Sequence, residues 1–412
     1  MVYDATEGLA ELLAKASVTA YIGFDPTASS LHVGNLLTLM GLARLQRFGH
    51  SPIAIVGGGT GMIGDPSGKS QERVLLSAAQ IEENVAGVRR QLERFLDFSP
   101  GPRAARIVNN ADWLATIDLV SFLRDAGKHF TVNYMLQKES VSRRLESEDG
   151  ISYTEFSYLV LQAYDFLQLF DRCGCTLQMG GSDQWGNITA GIDLIRKLRA
   201  KRAHGLVWPL MKTAAGAKFG KTESGTIWLD AERTSPFQFY QFWVNTQDSD
   251  VITYLKCFTF LDRAAIDSLD AATRSAPEKR EAQRVLAREV TTLVHGAEEA
   301  TRAAGGSERL FSSWSSEQSA DELLEALADV PSSSVPARVL AEERPLAQWL
   351  VDTKLVNSKS EATRLIKSGG VYVNNVAVAD EKARLGMKDL WQQRLIVLGK
   401  GKRQKHVLKL AE

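Results

Sequence analysis

The sequence has little cysteine, no long apolar run and no net charge. Three cysteines in 412 residues, Cys173, Cys175 and Cys257, give no disulfide framework and suit a reducing compartment. The Cys173–Cys175 spacing has no second pair, so we expect no zinc or other metal site. No apolar run reaches the ~18 residues of a membrane span, and the start lacks the pattern of a secretory signal. We therefore expect a cytoplasmic protein with no membrane partner.

The charge is balanced, with 49 Lys and Arg against 49 Asp and Glu. No global field draws the chain to nucleic acid, so any RNA contact must come from local asymmetry. The length predicts two or three domains. A hydrophobic content of 44% and a charged content of 24% are typical of globular proteins.

The first part of the chain alternates between strand and helix patterns. Apolar runs at 18–24 and 51–56 predict buried strands, and 106–108 predicts a third. Helical patterns lie between them, from about 29–32 to Phe48, and from the Ser77/Gln80 capping box to about Phe95. This alternation predicts an α/β domain with a parallel sheet. Ligands bind at the carboxyl ends of such strands.

The stretch YIGFDPTASSLHVGN, residues 21–35, joins a strand end to a polar loop and a helix start. A helix N-terminus presents unpaired N–H groups and attracts anions. Gly23 and Gly34 let a ligand approach the backbone closely. We expect His32 to lie in the first helical turn, where a phosphate would bind.

The glycine-rich loop GGGTGMIGDPSGKS spans residues 57–70. It contains a GxGxxG match, but that fingerprint must open a helix, and residues 65–68, Asp-Pro-Ser-Gly, prevent one. A pyridine-nucleotide site is therefore excluded. The loop leads to Lys69 and Arg73, which indicate either a solvated surface loop or a mobile clamp for polyphosphate.

Polar residues interrupt a strongly apolar helix, FSYLVLQAYDFL. Tyr158 and Gln162 share one helical face, and Asp165 follows three residues later. A buried Asp is costly unless paired. Two interpretations stay open: structural hydrogen bonds, or a polar triplet that reaches into a pocket.

Two further loops carry candidate ligand groups. LQMGGSDQWGN sets glycines before Asp183 and Gln184, whose acceptors suit ribose hydroxyls or an ammonium group. The next helix carries Arg196 and Lys197, which indicate either an RNA contact or a solvated face. In KFGKT, residues 218–222, two lysines three apart in a flexible loop suit a transient grip on pyrophosphate.

The second part of the chain is first helical and then basic. Ser235-Pro236 starts a helix, and helical spacing continues to about Leu327. An aromatic cluster at 237–243 is typical of a core rather than of a base-stacking platform. PSSSVPA, 331–337, has the composition of a linker.

Residues 341–412 hold 14 Lys and Arg against 8 Asp and Glu, a net charge of +6. A helix capped by Ser358 and Glu361 bears Lys359, Arg364 and Lys367, and 371–378 predicts a hairpin that turns at Asn374-Asn375. Such a module suggests binding to a phosphate backbone, with a basic solubility tail as the alternative.

Together these motifs resemble bacterial tyrosyl-tRNA synthetases of class I. HVGN is a variant of the HIGH signature, and KFGKT is a form of the KMSKS signature. The stretches SDQWGNITAG, FSYLVLQAYDFL and SPFQFYQFWVNTQD are similar to family signatures too, in order and over essentially the whole chain. The C-terminal module resembles a small RNA-binding domain shared by a ribosomal protein and pseudouridine synthases.

The resemblance implies a fold with three parts and a homodimer. A Rossmann-like catalytic domain would occupy 1–230, with a helical insertion at about 115–165 that forms the dimer interface. An α-helical anticodon-side domain would follow at 231–328. A linker at 329–343 would lead to a small α+β RNA-binding domain at 344–412.

The resemblance also implies an activity and its residues. The enzyme would activate L-tyrosine with ATP and Mg²⁺ to tyrosyl-adenylate and pyrophosphate, then transfer the tyrosyl group to the 3′-terminal adenosine of tRNA(Tyr). The residues that it implies for catalysis on the phosphates are Thr27, His32, Lys69, Arg73, Lys218, Lys221 and Thr222. Those for tyrosine are Tyr21, Asp65, Tyr158, Gln162, Asp165 and Gln184. Those for ATP and the adenylate are Gly23, Asp25, Gly34, Asn35, Thr38, Gly181 and Asp183. Those for tRNA are Arg196, Lys197, Lys359, Arg364 and Lys367.

Two departures and two alternatives accompany this resemblance. The final His of HIGH is Asn35, which donates a hydrogen bond but carries no charge. Ile22 stands where some relatives carry a cysteine that touches the ribose. A tryptophanyl-tRNA synthetase relative would lack the Tyr21/Asp165 pair. A catalytically inactive RNA-binding protein would show degraded signature loops.

Overall fold

The computed structural model describes residues 2–411 except for several short stretches. The stretches left out are 68–75, 147–149, 212–215, 217–218, 223–224, 312–319, 321–322, 325–326, 328–329 and 402–403, and for 221–222 and 309–311 only the backbone is described. The chain forms two compact units, Met1–Asp230 and Ala231–Glu412.

A six-stranded sheet is the centre of the first unit. Its strands are β1 Asp4–Ala5, β2 Thr19–Phe24, β3 Ser51–Val56, β4 Arg106–Asn109, β5 Cys175–Gly181 and β6 His204–Trp208. Their order is β1-β6-β5-β2-β3-β4, and all pairs are parallel except β1 with β6. The predicted strands at 18–24, 51–56 and 106–108 and the parallel sheet are confirmed.

Helices cover both faces of this sheet. They are α1 Leu9–Lys15, α2 Leu36–Arg47, α3 Ala78–Leu92, α4 Ala111–Leu114, α5 Leu119–Asp125, α6 Val132–Leu136, α7 Glu139–Leu145, α8 Tyr153–Cys173 and α9 Trp185–Arg199. The capping box of Ser77 and Gln80 begins α3 as predicted. The helix after the HVGN stretch begins later than predicted, with a 3₁₀ turn at Val33–Asn35, because His32 caps the turn instead of lying inside it.

The strand order reverses direction between β2 and β5. From β2 the chain runs outward through β3 to β4, and from β5 it runs the other way to β6. A crevice opens at the carboxyl ends of the strands at such a switch point. The side chains of Tyr21 on β2 and Gln178 on β5 are register partners on the same face, and helices α8 and α9 pack over that face.

The helices between β4 and β5 are joined by a buried ion pair. The Arg144 guanidinium on α7 donates to the Glu155 carboxylate on α8 at 3.1 Å, and both side chains are less than 5% exposed. Nearby, several large apolar side chains are exposed instead: Leu119, Val120, Leu123, Val132, Leu136, Leu145 and Tyr153. This segment therefore has a fixed internal packing and an apolar outer surface.

The second unit begins with five helices. They are Pro236–Val244, Asp248–Phe258, Arg263–Ser275, Glu281–His295 and Ala297–Phe311. Ser235 caps the first one as predicted. Phe237, Phe239, Tyr240 and Trp243 are all less than 5% exposed, so the aromatic cluster is core, as its spacing predicted. No helix in the described part of the chain is long and apolar enough to cross a membrane.

A five-stranded sheet follows in the same unit. The strands after the helices are β9 Ser332–Val335, β10 Arg344–Pro345, β11 Val371–Val373, β12 Val376–Val378, β13 Arg384–Leu385, β14 Leu395–Lys400 and β15 Gln404–Leu410. The sheet order is β12-β11-β14-β15-β9, while β10 and β13 pair with each other as a separate two-stranded sheet. Short helices at Ala337–Ala341, Leu346–Asp352 and Lys359–Lys367 accompany these strands. The remaining two strands, β7 Lys221–Thr222 and β8 Gly225–Thr226, belong to the first unit and form a hairpin. Asn374 and Asn375 turn the predicted hairpin with φ of 48° and 64°.

The stretch predicted as a linker at 329–343 is not free chain. Residues 332–335 pair in parallel with β15 at the edge of the sheet, and Ser333 Oγ lies 2.8 Å from His406 Nε2. The linker prediction is wrong for these residues because a serine-rich composition does not reveal a strand partner more than 70 residues later.

Candidate active site

The tyrosine at the centre of the sheet carries a buried hydroxyl that lacks a protein partner among the described residues. Tyr21 is 1% exposed, and its ring contacts Phe166 edge-on at 5.3 Å. Burial raises the pKa of Tyr21 well above its ordinary value, and the nearby Asp165 carboxylate raises that pKa further. The Tyr21 phenol therefore stays neutral, and it can both donate a hydrogen bond to a ligand hydroxyl and accept one from it.

Asp165, on α8, is the buried carboxylate of this pocket. Its Oδ1 accepts from Trp113 Nε1 at 2.7 Å, and its Oδ2 accepts from Asn110 Nδ2 at 2.9 Å. Burial raises the pKa of Asp165 to about 7, although both hydrogen bonds act in the opposite direction. Each oxygen retains a second lone pair, so the carboxylate can still accept from a ligand.

Sequence reasoning missed Asn110 and Trp113. Asn110 is fully buried, and besides Asp165 it binds Thr60 Oγ1 at 2.9 Å and the Gly59 N–H at 2.8 Å. The available signal was an Asn and a Trp placed directly after β4, at the carboxyl edge of the sheet. Their partner Asp165 lies more than 50 residues away, so no local pattern joins them.

Asp25 lies at the end of β2 with a defined orientation. Its Oδ2 accepts from Tyr158 Oη and its Oδ1 from Thr60 Oγ1, both at 2.9 Å. A Cβ atom at Gly57 would collide with both Asp25 and Thr60. Burial raises the pKa of Tyr158 far above its ordinary value, and Asp25 adds to this, so Tyr158 stays a donor to Asp25. The helical residue Tyr158 is thus brought to the strand-end loop.

A chain of polar side chains forms the next wall of the pocket. Gln184 Nε2 donates to Asp65 Oδ2 at 2.8 Å, and Gln162 Nε2 donates to Gln184 Oε1 at 3.1 Å. Asn187 Nδ2, which sequence reasoning missed, donates to Gln162 Oε1 at 2.9 Å. Asp65 is also held by the Ser67 N–H at 2.9 Å. This chain joins the glycine-rich loop, α8 and the start of α9 at one place.

The HVGN stretch folds around its histidine. The Gly34 N–H donates to His32 Nδ1 at 3.0 Å, and the His32 N–H donates to Asn35 Oδ1 at 3.1 Å. This reciprocal cap explains the Asn at the last signature position, because its side chain closes the turn. Thr38 Oγ1 donates to the Asn35 carbonyl. The neighbouring Ile22 is buried at 2% exposure, within the core.

The segment that follows KFGKT is hydrogen-bonded through its backbone to the HVGN stretch. Lys221–Thr222 and Gly225–Thr226 form a two-stranded hairpin, β7 and β8. The Val33 N–H donates to the Ile227 carbonyl at 3.0 Å, and the Leu229 N–H donates to the Leu31 carbonyl at 2.9 Å. The two signature stretches, far apart in sequence, therefore lie side by side.

Gly220 makes this approach possible. Its φ is +85°, and a Cβ atom there would lie 2.7 Å from Val33 Cγ2 and 3.2 Å from the Gly34 nitrogen. Three predicted residues of the phosphate loops, Lys69, Arg73 and Lys218, lie outside the described residues. For Lys221 and Thr222 the backbone alone is described.

The remaining predicted ligand residues belong to the ends of β2 and β5 and to the HVGN turn. Gly23 in β2 and Gly34 in the HVGN turn are both exposed. Thr27 is exposed beside Asp25. A Cβ atom at Gly181 would lie 2.6 Å from Asp183 Oδ1, so the bare glycine lets this half-buried carboxylate reach back over the end of β5.

The predicted RNA contacts all belong to surface helices. Arg196 pairs with Asp193 at 3.3 Å, and Lys197 Nζ donates to the His129 carbonyl at 2.7 Å. In the second unit Lys359 and Arg364 are exposed, and Lys367 pairs with Glu381 at 2.8 Å. Arg196 and Lys197 thus belong to the first unit, and Lys359, Arg364 and Lys367 belong to the second.

Comparisons with known proteins agree with this geometry. A family described as "tRNA synthetases class I (W and Y)" matches residues 13–312, and one described as "Tyrosine--tRNA ligase SYY-like C-terminal domain" matches 322–408. A "Tyrosine--tRNA ligase" of Roseiflexus castenholzii is 53% identical over 411 residues, covering 100% of this chain and 97% of that protein. This chain belongs to the tyrosine–tRNA ligase family.

Other members of the tyrosine–tRNA ligase family are nearly as similar. The Geobacillus kaustophilus protein is 51% identical over 406 residues, covering 98% of this chain and 96% of that protein. A solved structure, a C-terminally truncated Aspergillus nidulans mitochondrial tyrosyl-tRNA synthetase, has a TM-score of 0.67 at 32% identity, covering 74% of this chain and 89% of that chain. The fold is thus that of a class I aminoacyl-tRNA synthetase, an enzyme class that uses ATP as substrate.

Proposed function

We propose that this protein activates L-tyrosine with the Mg²⁺ complex of ATP, and then esterifies the 3′-terminal adenosine of tRNA(Tyr). The observation that carries the proposal is the Tyr21 hydroxyl, buried and without a protein partner among the described residues, beside the buried Asp165 carboxylate. A buried donor and acceptor side by side fit the phenol of a tyrosine side chain.

Selectivity against phenylalanine follows from that pair. A substrate without the hydroxyl would fill the pocket and leave two buried polar groups unpaired. The general figure for discrimination at such a site, ~10⁵, comes from measurements on this same enzyme family. A tryptophan side chain brings an indole N–H, which offers no acceptor to Tyr21.

The polar wall above the phenol pocket suits the rest of the amino acid. Asp65, Gln162 and Tyr158 would hold the ammonium group, with Gln184 close to the carboxylate. Asp25 and Asp183 would accept from the ribose hydroxyls of ATP, and the bare backbone of Gly23 and Gly181 would let the nucleotide approach. The fixed orientations of Asp25 and Asp65 support these roles, since their oxygens are already aimed before substrate binds.

The phosphates would lie over the HVGN turn. The N-terminus of α2, whose N–H groups favour anions, is formed by the HVGN turn with His32, Gly34 and Asn35, and Thr38 lies in the first turn of the helix. Thr27 would join them on the phosphates. The residues of the two phosphate loops, Lys69, Arg73, Lys218, Lys221 and Thr222, would bind the leaving pyrophosphate.

No protein nucleophile is required for this reaction. The tyrosine carboxylate attacks the α-phosphorus in line, the bond to pyrophosphate breaks, and tyrosyl-adenylate forms. A hydroxyl of the terminal tRNA ribose then attacks the activated carbonyl and releases AMP. Positioning and stabilisation of phosphate charge supply the catalysis.

We propose a cytoplasmic homodimer for the working enzyme. The exposed apolar side chains between residues 115 and 165, such as Leu119, Val120 and Val132, support an interface there, because large exposed apolar patches mark association sites. Analytical ultracentrifugation at micromolar concentration should give twice the chain mass of 45.3 kDa. A monomer would exclude this assembly.

The rest of the chain would bind tRNA(Tyr). Within the second unit, we propose a helical anticodon-side domain at 231–328 and a small RNA-binding domain at 344–412, which contacts phosphates through Lys359, Arg364 and Lys367. Arg196 and Lys197 on α9 would contact the acceptor end. The net charge of +6 over 341–412 supports a salt-dependent RNA affinity.

The experiment that tests the activity is tyrosine-dependent exchange of pyrophosphate into ATP. We expect exchange with tyrosine and none above background with phenylalanine or tryptophan. Exchange with tryptophan instead would overturn the assignment of Tyr21 and Asp165. Folded protein without exchange would favour the alternative of an inactive RNA-binding relative.

A further inference from the structure

Two backbone hydrogen bonds place one tryptophan directly opposite the signature histidine. The Val33 N–H donates to the Ile227 carbonyl, and the Leu229 N–H donates to the Leu31 carbonyl, so His32 and Trp228 form an antiparallel bridge. The flanking residues make the hydrogen bonds, which makes His32 and Trp228 a non-hydrogen-bonded pair. Side chains lie closest to each other in pairs of this kind.

The two side chains meet as this register requires. The His32 and Trp228 rings are 6.1 Å apart between centroids, with an interplanar angle of 64°, an edge-to-face arrangement. The imidazole also lies against the HVGN backbone, because a Cβ atom at Gly34 would lie 2.7 Å from His32 Cε1. The histidine ring thus contacts the turn that it caps and the indole across the bridge.

These contacts determine how the histidine presents its proton. Because His32 Nδ1 accepts the Gly34 N–H at 3.0 Å, the neutral ring carries its hydrogen on Nε2. Rotation of the ring would break this cap and the edge-to-face contact together. A donor intended for a phosphate oxygen gains most when its direction is fixed before the substrate arrives.

We propose that Trp228 is a positioning residue for the adenylation step, one that holds the His32 imidazole in the orientation in which Nε2–H faces the ATP phosphates. This inference rests on the proposed function, since it assigns Trp228 a role at the same site. Trp228 touches no substrate in it and acts through His32 alone. The segment directly after the KFGKT hairpin thus contributes an aromatic support to HVGN.

The test is a double-mutant cycle on the rate of adenylate formation in a single turnover. Trp228→Leu keeps an apolar side chain but removes the aromatic edge, and we expect the rate to fall roughly two- to tenfold, the range for an aromatic pair. Trp228→Phe should restore most of the rate. In a His32→Ala background, Trp228→Leu should change the rate by less than about 1.5-fold, because its target is gone.

A second cycle separates this role from general support of the hairpin. Lys221 belongs to the β7–β8 hairpin that directly precedes Trp228, but it acts on pyrophosphate in the proposed function. We expect the effects of Trp228→Leu and Lys221→Ala to multiply. The inference would be overturned if the effect of Trp228→Leu on the rate depended on Lys221 but multiplied independently with the effect of His32→Ala. Tyrosine Kd, measured by equilibrium dialysis, should stay within about twofold in Trp228→Leu, since the phenol pocket is elsewhere in the unit.

The wild-type reaction tests the proposed function separately from the role of Trp228. A wild-type protein that exchanges pyrophosphate, combined with additive losses in the His32 cycle, would overturn the role of Trp228 and leave the proposed function standing. A folded wild-type protein without exchange would overturn both. Should Trp228→Leu fail to fold, Trp228→Met measured against His32→Ala gives the same cycle, because methionine also lacks the aromatic edge but is a longer, more adaptable apolar side chain.

Discussion

Replacing Tyr21 with Phe should improve stability and harm tyrosine binding at once. The Tyr21 hydroxyl is buried and has no protein partner among the described residues. A buried unsatisfied polar group costs about 1–3 kcal/mol, so its removal should raise the free energy of unfolding by about 1 kcal/mol or more. The bound tyrosine loses one neutral hydrogen bond, worth about 0.5–1.5 kcal/mol, so its Kd should rise roughly two- to thirteenfold.

Phenylalanine has no hydroxyl to bond with Tyr21, so the activation of phenylalanine should be unchanged or improved in Tyr21→Phe. The preference for tyrosine over phenylalanine should therefore shrink by at least the factor by which the tyrosine Kd rises. Urea unfolding and equilibrium dialysis measure the two effects separately. Tyr164→Phe is the matched control, because this ring lies on the same helix as Asp165 but packs on Phe122 at 5.7 Å. We expect its tyrosine Kd to match the wild type. A destabilised Tyr21→Phe protein that binds both amino acids equally less well would refute the reasoning and make Tyr21 a plain core residue.

Three further predictions concern the pocket, the hairpin and the helical insertion. Burial raises the pKa of Asp165 to about 7, and the ionised form accepts the phenol hydrogen more strongly than the protonated one. Tyrosine affinity in dialysis should therefore rise by up to about tenfold per pH unit below 7 and level off above it, and Asp165→Asn should remove this dependence. Gly220→Ala should slow adenylate formation at least about tenfold, at nearly constant tyrosine Kd, because its Cβ would strike Val33. Arg144→Met should lower the free energy of unfolding in urea by about 3–5 kcal/mol, because it leaves the Glu155 charge buried alone.

The structure supplies controls for these changes. Gly216 has a φ of +79°, and no described residue lies near the position of its missing Cβ, so Gly216→Ala carries the same backbone strain without the clash with Val33 and should keep a nearly normal rate. Arg143→Met removes an exposed pair with Glu139 on the same helix as Arg144 and should change stability by less than about 1 kcal/mol. A pH-independent affinity, an equally slow Gly216→Ala or an equally unstable Arg143→Met would contradict the corresponding prediction.

Local chemistry makes much of this fold predictable. Strands β2 and β3 are recognisable from the sequence because each is a largely apolar run. The hairpin at 371–378 follows from Asn374-Asn375, since asparagine tolerates the positive φ that both residues adopt. Such signals depend on a few neighbouring residues, and tertiary packing has only to agree with them.

Features that join distant residues are not accessible in the same way. Nothing near Ser332–Val335 indicates that β15 will accept it as an edge strand. The contacts of Asn110 with Asp165 and Thr60 arise only when β4, α8 and the glycine-rich loop converge. In the sequence Asn35 is a departure from a signature, and its purpose as a cap for His32 appears only in three dimensions.

The ladder between the two signature stretches also has a consequence for synthesis of the chain. The Leu31 carbonyl and the Val33 N–H find their partners at Leu229 and Ile227. On a ribosome that adds about 5–20 residues per second, the HVGN turn emerges roughly 10 to 40 s before the segment that completes it. The outer strand β1 waits for β6, at residues 204–208, for slightly longer. The nascent chain therefore passes through a long interval in which β2 and β3 can pair but the proposed ATP site is still incomplete.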